Sequence, residues 1–149
     1  MGIEKDINQR SFRSEYQKGV INIIYTHNWL KEKLQAIFDK EDLTSQQFNI
    51  LRILRGSPAA LSTLQIRERM LDKMSDTSRI VDRLIKKGLA KKVTSKTDKR
   101  LVDVTITDKG RKLLQKMDQS ETDIESLLQQ LSVNEAKTLN KLLDKVRQA

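Results

Sequence analysis

Residues 75–89 read Ser75-Asp76-Thr77-Ser78-Arg79-Ile80-Val81-Asp82-Arg83-Leu84-Ile85-Lys86-Lys87-Gly88-Leu89. Taken at 100° per residue, Ile80, Val81, Leu84 and Ile85 share one side of a helix, and Thr77 falls with them and is expected in the core despite its hydroxyl. Ser75, Arg79, Arg83 and Lys86 point the other way, with Asp82 beside them and Asp76 and Ser78 on the flanks. Ser75 is a capping type at the start, and Lys87-Gly88 is a stop signal, so the spacing predicts one short helix with an apolar and a basic side.

Working outward, Leu61-Ser62-Thr63-Leu64-Gln65-Ile66 is a helix start, with Ser62 as cap, Gln65 reaching back to it and Leu61 placed to staple on Ile66. This helix is expected to run to about Leu71, and Asp72-Lys73-Met74 then turns the chain into the basic helix. Two short helices joined by a tight turn, the second strongly basic, make a helix-turn-helix candidate. The same start signature stands earlier in Leu43-Thr44-Ser45-Gln46-Gln47-Phe48, whose helix should stop at Gly56 before Ser57-Pro58. Earlier still, Phe12, Tyr16, Val20, Ile23, Ile24, His27, Leu30, Leu34, Ile37 and Phe38 recur at three-and-four spacing and predict one long amphipathic helix.

Beyond Gly88 the period changes from 3.6 to 2. Lys91 to Ser95 and Leu101 to Thr107 flank the polar stretch Lys96-Thr97-Asp98-Lys99-Arg100, and Val102, Val104 and Ile106 alternate with Asp103 and Thr105, which predicts a hairpin. From Asp108 the helical period resumes through Leu113, Leu114, Met117, Ile124, Leu127, Leu128 and Leu131. Ser132 to Glu135 is another capping box, opening a last helix with Leu139, Leu142, Leu143 and Val146 on one side. The fold class is therefore mainly α with a small β-hairpin.

Charge is concentrated where this pattern lies. Residues 63–100 hold twelve Lys/Arg against five Asp/Glu, so a quarter of the chain carries +7 of the formal net charge of +9. Charge focused in this way suits a polyanionic partner, and nucleic acid is the polyanion that exploits it best, so a DNA-binding module is the first expectation. At 149 residues the chain fits a single domain. Only 37% is hydrophobic and 33% is charged, a thin core for a monomer, which favours pairing with a second copy. The absence of Cys and the single His exclude disulfides, thiolate metal sites and His-rich metal sites, so neither metal nor cofactor is expected. No window has the apolar length of a membrane span and the N-terminus is unlike a signal peptide, so the chain reads as cytoplasmic. There is no phosphate-cradling glycine loop and no Ser-His-Asp candidate set beyond His27, which argues against an enzyme.

Ser78 through Leu89, then Asp98-Lys99-Arg100, then Ile106-Thr107-Asp108-Lys109-Gly110-Arg111, stand in an order and spacing that resembles the multiple antibiotic resistance regulator (MarR) family of bacterial winged-helix transcription factors. The likeness covers essentially the whole chain, with its specific part in residues 43–114. It implies a winged helix-turn-helix between long N- and C-terminal dimerisation helices. The chain then divides into an N-terminal dimerisation helix (1–42), a winged-helix DNA-binding lobe (43–107) and C-terminal dimerisation helices (108–149). Two departures stand out. Lys91 and Lys92 occupy the place where the family usually has an arginine, keeping the charge but losing the bidentate fork, and Asp76 puts a carboxylate at the start of the recognition helix.

If the helix enters a major groove, Ser75, Ser78 and Arg79 near its N-terminus are the base-readers, with Arg79 able to grip guanine bidentately. Asp76 is either an acceptor for a cytosine amino group or, as its position favours, a first-turn carboxylate serving the helix dipole. Arg83, Lys86 and Lys87 suit phosphates. On the wing, Asp98 and Arg100 are two residues apart, so in an extended hairpin the carboxylate can hold the guanidinium. The resemblance implies that such an arginine enters the minor groove, where narrow A·T-rich tracts concentrate negative potential. Lys96 and Lys99 are further phosphate contacts.

Leu127, Leu128, Leu131, Leu139, Leu142, Leu143 and Val146 offer a dimer surface that Ile23, Leu30 and Leu34 are placed to face. The resemblance also implies that some members bind small aromatic acids beside the dimer helices. Tyr25, His27 and Trp29 are the candidates here, although a lone His on an apolar helix is more often a core or interface residue. The expectation is a homodimeric regulator that binds a pseudo-palindromic duplex, represses transcription by occupying a promoter and is released by a small ligand. The competing class is a winged-helix module whose basic surface docks an acidic protein.

Overall fold

The structure is a computed structural model describing residues 2–98 and 100–148. Lys99, expected among the wing contacts, lies outside the described residues. The chain forms two compact units, residues 1–42 and 43–149.

In the first unit, α1 (Ile3–Asp6) precedes α2 (Glu15–Asp39). The long helix expected from Phe12 starts three residues later, because the Ser14 hydroxyl accepts the Gln17 amide at 3.1 Å and caps the helix there. Phe12 sits outside it, with the Lys18 ammonium over its ring at 5.8 Å, and Lys18 also pairs with Glu4 of α1.

The second unit begins with α3 (Ser45–Arg55), whose start is the expected box. Thr44 Oγ1 accepts the Gln47 amide and Gln47 Oε1 accepts the Thr44 amide, both at 3.1 Å. Gly56 ends it. β1 (Leu61–Ser62) leads into α4 (Thr63–Arg69), again boxed, by Ser62 and Gln65. α5 (Thr77–Lys86) follows, then β2 (Ala90–Thr94) and β3 (Val102–Ile106). α6 (Asp108–Met117) is capped by Thr107, whose hydroxyl accepts the Gly110 amide at 3.1 Å. A 3-10 turn (Asp118–Ser120), α7 (Glu121–Ser126) and α8 (Val133–Arg147) complete the unit, and α8 opens on the Ser132–Glu135 box.

The hairpin is present and extended by a further strand, and two other expectations are corrected. The hairpin is part of a three-stranded antiparallel sheet of order β1-β3-β2, in which Leu61 pairs Val104 and Ala90 pairs Ile106. A two-residue strand shows no period in sequence, so Leu61 was legible only as a staple. The helical run expected from Asp108 to Leu131 breaks at Asp118, where both carboxylate oxygens take the Arg55 guanidinium at 2.9 and 3.0 Å. Finally, the cap of α5 is Asp76 and not Ser75: Asp76 Oδ1 accepts the Arg79 amide at 3.3 Å, while the Ser75 hydroxyl donates to the Asp72 carbonyl at 2.8 Å.

The core of the second unit is where α3, α4, α5, α6 and β3 meet. Ile50, Leu51, Ile66, Leu84, Leu114 and Val104 are its most buried side chains. Burying each stabilises the lobe by roughly 1.5 to 3 kcal/mol. Thr77 is buried with them, as its place on the apolar side predicts, and its hydroxyl has no hydrogen-bond partner among the described residues. By contrast, α8 has no buried residue: Leu142 is 56% and Val146 61% exposed.

Candidate nucleic-acid interface

The turn before α5 is held by a net of hydrogen bonds. Asp72 Oδ1 accepts the Met74 amide at 3.0 Å, the Asp72 carbonyl accepts the Ser75 amide at 3.3 Å, and Asn49 of α3 accepts the Leu71 amide at 2.9 Å. Gln46 Nε2 reaches the other Asp72 oxygen at 3.4 Å. The start of α5 is thereby fixed to α3. At the far end Gly88 takes φ +74°, the left-handed turn a glycine enters without strain. The carbonyls freed there are used: Lys109 Nζ donates to the Lys87 carbonyl at 2.9 Å and Thr107 Oγ1 to that of Gly88 at 2.7 Å.

Between these anchors α5 presents Ser78, Arg79, Arg83 and Lys86 to solvent. Ser75 is half-buried and Asp76 exposed. Arg79 Nε lies 3.8 Å from Asp76 Oδ2, so the capping carboxylate also orients the guanidinium next to it. The lysines at the helix end separate. Lys86 is exposed, whereas Lys87 is half-buried and its ammonium donates to Gln47 Oε1 at 3.3 Å. Gln47 is itself buried as the N3 residue of α3. Lys87, expected at a phosphate, therefore braces α5 against α3.

The wing loop, residues 95–101, turns on Ser95, whose buried hydroxyl accepts the Thr97 and Asp98 amides, each at 3.4 Å. Asp98 and Arg100 meet, though not as neighbours on an extended strand. The chain bends so that Asp98 Oδ1 accepts both the backbone amide (3.0 Å) and Nε (3.1 Å) of Arg100, and Oδ2 accepts Nη2 at 3.1 Å. The Arg100 side-chain bonds, and secondarily its amide, hold the Asp98 carboxyl below its ordinary value against a small opposing effect of burial. A depressed carboxyl keeps its fork above the ordinary carboxylate range and loses it only as pH falls through the lowered value. The Arg100 side chain is still 91% exposed, and Lys96 beside it is exposed too.

An ion pair that sequence reading missed joins helix and wing: Lys92 Nζ of β2 lies 3.6 Å from Asp82 Oδ1 of α5. Its partners stand ten positions apart on elements of different period, and only the register of β2 beside α5 makes the contact visible.

The other expected residues are less gathered. Tyr25 and Trp29 are one turn apart on α2, but His27 lies about 200° round the helix from each, so the three do not share one face of it. All three are exposed. On α2, Ile23 is exposed and Leu30 and Leu34 half-buried. In the second unit Leu127, Leu131, Leu139 and Leu143 are half-buried and Leu128, Leu142 and Val146 exposed. Leu131, Leu139 and Leu142 line a shallow groove with Asn134, Glu135 and Thr138.

A family model described as MarR family matches residues 41–101. The transcriptional regulator PecS of Dickeya dadantii is 30% identical over 116 residues, covering 76% of this chain and 70% of PecS. The chain belongs to the MarR family. It is a transcriptional regulator of winged-helix architecture, as its relatives are. The fold has counterparts among solved structures. A MarR mutant from E. coli complexed with operator DNA superposes with a TM-score of 0.80 at 24% identity, over 92% of this chain and 99% of that one. BpsR of Bordetella bronchiseptica, whose DNA binding is regulated by 6-hydroxynicotinic acid, gives 0.81 at 23% identity, over 94% and 99%.

Proposed function

We propose that this MarR-family regulator binds a pseudo-palindromic duplex as a homodimer and represses transcription by occupying a promoter. The observation that carries the reading is the set of exposed basic side chains on α5 and the wing: Arg79, Arg83 and Lys86 on the helix, Arg100 set by Asp98, and the two elements tied by Asp82–Lys92. Ser78 and Arg79 read base edges from the N-terminal half of α5, with Ser75 and Asp76 at its mouth. Arg83 and Lys86 take phosphates, Lys96 adds one on the wing, and Arg100 enters the minor groove. A mutant of the structurally similar E. coli MarR is complexed with operator DNA, which supports DNA as the partner.

One α5 covers only a half-site, so specific reading needs two, held about 34–36 Å apart. In the second unit Leu127, Leu128, Leu131, Leu139, Leu142, Leu143 and Val146, and in the first Ile23, Leu30 and Leu34, are the apolar residues that a second copy would cover. A small ligand that alters the separation of the two reading helices would release the operator, and the regulation of BpsR by 6-hydroxynicotinic acid supports an aromatic acid as its class. On α2, Tyr25 and Trp29 are the side chains placed to meet it.

The test is a salt series on a selected and a scrambled duplex. The expected result is a steep slope on both and a residual preference for the selected one. Arg100→Ala should weaken binding strongly and leave the melting temperature unchanged. Arg79→Ala should relax discrimination at one position per half-site by about 1 to 3 kcal/mol, whereas Lys86→Ala should weaken all sequences alike and flatten the slope by about one. Equal loss from Arg79→Ala and Lys86→Ala on both duplexes would refute the reading face, and a shallow slope without sequence preference would instead indicate an acidic protein partner.

A further inference from the structure

The turn between α4 and α5 places two large apolar side chains almost wholly in water, Leu71 at 90% and Met74 at 91% exposure. Scattered exposed apolar residues are ordinary on a protein surface, and at a frayed loop these would carry no meaning. This turn is not frayed. Asn49 fixes the Leu71 amide, Asp72 fixes the Met74 amide and both the amide and hydroxyl of Ser75, and Lys73 Nζ donates to the Glu68 carbonyl between them. The backbone that points these side chains outward is thus determined from both sides. Leu64 of α4, also exposed, lines the same hollow as Met74, beside Arg67 and the start of α5.

The turn presents these apolar side chains singly, and its surroundings are charged. It lies inside the segment that holds +7 of the net charge, next to Arg67, Arg69 and Lys73, so whatever covers it is a polyanion that also has apolar groups to offer. Duplex DNA offers two kinds, deoxyribose carbons along the backbone and the thymine 5-methyl group in the major groove. Met74 stands two residues before the cap of α5, at the end of the helix that reaches base edges, and not over the backbone where later residues fall. Its flexible, unbranched thioether chain can follow a methyl across more than one step of the groove.

We propose that Met74 and Leu71 are specificity-determining residues that read thymine methyl groups at the edge of each half-site. The proposal rests on the DNA-binding reading above and adds to its polar contacts a preference for thymine made without hydrogen bonds. Removing a buried methyl costs about fourfold in affinity at the usual transfer value per carbon.

The experiment uses the full-length protein and the duplex that it enriches from a random library, compared with versions in which single thymines are replaced by deoxyuridine, which removes only the methyl. One or two positions per half-site should lose about fourfold. Met74→Ala or Leu71→Ala should weaken the thymine duplex by the same factor and abolish its difference from the deoxyuridine duplex, whereas Met74→Leu should keep it. Both side chains are exposed, so circular dichroism should show the alanine variants folded as the parent. If every deoxyuridine duplex binds as well as its parent, or if the difference survives in both alanine variants, the proposal is wrong while the DNA-binding reading stands. If no duplex is bound with a steep salt dependence, both fall.

Discussion

Two glycines in helices should respond with opposite signs to the same substitution. Gly110 lies in the first turn of α6, where an added Cβ would stand 2.4 Å from the Leu89 carbonyl oxygen and 2.7 Å from Ile106 Cγ1. Ordinary carbon–oxygen contacts begin near ~3.3 Å, so about 0.9 Å must be found. The carbonyl cannot turn aside cheaply, because it accepts the Thr107 amide at 3.1 Å, and Leu89 and Ile106 are both buried. The displacement therefore falls on α6, which carries Leu114 and Met117 into the core. Alanine gains about 1 kcal/mol in helix propensity, against about 1–3 kcal/mol for overpacking and about 1 kcal/mol for the strained hydrogen bond. Gly110→Ala should then cost about 1–3 kcal/mol net and, at about 2–4 °C per kcal/mol for a chain of this size, lower the melting temperature by about 2–12 °C. Gly19, within α2, has nothing within 4 Å of the corresponding Cβ, so Gly19→Ala keeps the propensity gain and should raise it. Melting of the two variants beside the parent by circular dichroism, at one protein concentration, checks both signs. If Gly110→Ala melts above the parent, the first turn of α6 does not lie against the Leu89 carbonyl and Ile106 as described.

The remaining expectations concern the core and the joint after α6. Thr77→Val keeps the shape of a buried side chain and removes a hydroxyl without a partner, so it should raise the melting temperature by about 2–4 °C; a fall would reveal a hydrogen bond that the described residues do not show. Arg55→Asp and Asp118→Arg should each destabilise by about 1 kcal/mol, the upper range for a partly exposed pair with forked geometry, and the double exchange should recover most of it. Additive loss in the double variant would show that the pair does not hold the turn at Asp118.

What the sequence shows of this fold depends on how far apart the deciding atoms stand along the chain. The boxes at Thr44, Ser62 and Ser132 were legible because cap and partner are three residues apart and their chemistry is complete within one turn. The Ser75–Asp76 choice failed although both types cap well, because Asp72 takes the Ser75 hydroxyl for the preceding turn and leaves the cap to its neighbour. The break at Asp118 and the strand at Leu61 were illegible for a different reason. Their partners, Arg55 and Val104, are 63 and 43 positions away, and no local period records them. Lys86 and Lys87 carry the same charge on consecutive residues, and only the packing of α5 on α3 sends one to solvent and the other to Gln47.

The same distance rule explains why the pairing of Asp98 with Arg100, two positions apart, was legible and that of Asp82 with Lys92, ten apart on different elements, was not. Counting charge treats each carboxylate in residues 63–100 as a subtraction from the basic patch. Three of the five stand instead beside a cation of the interface: Asp76 by Arg79, Asp82 by Lys92 and Asp98 by Arg100. Each pair lies at the surface, with only Asp98 half-buried, and is worth little as stability, so its contribution lies in orientation. A long cationic side chain held by a neighbouring carboxylate has lost part of its rotamer freedom before any phosphate or base arrives, which lowers the entropic cost of binding. Neutralising Asp98, whose carboxylate takes three bonds from Arg100, would raise the formal charge by one and yet leave that arginine less prepared for the groove proposed for it. Net charge predicts that a polyanion is drawn to this surface; the placement of the acids determines what it meets there.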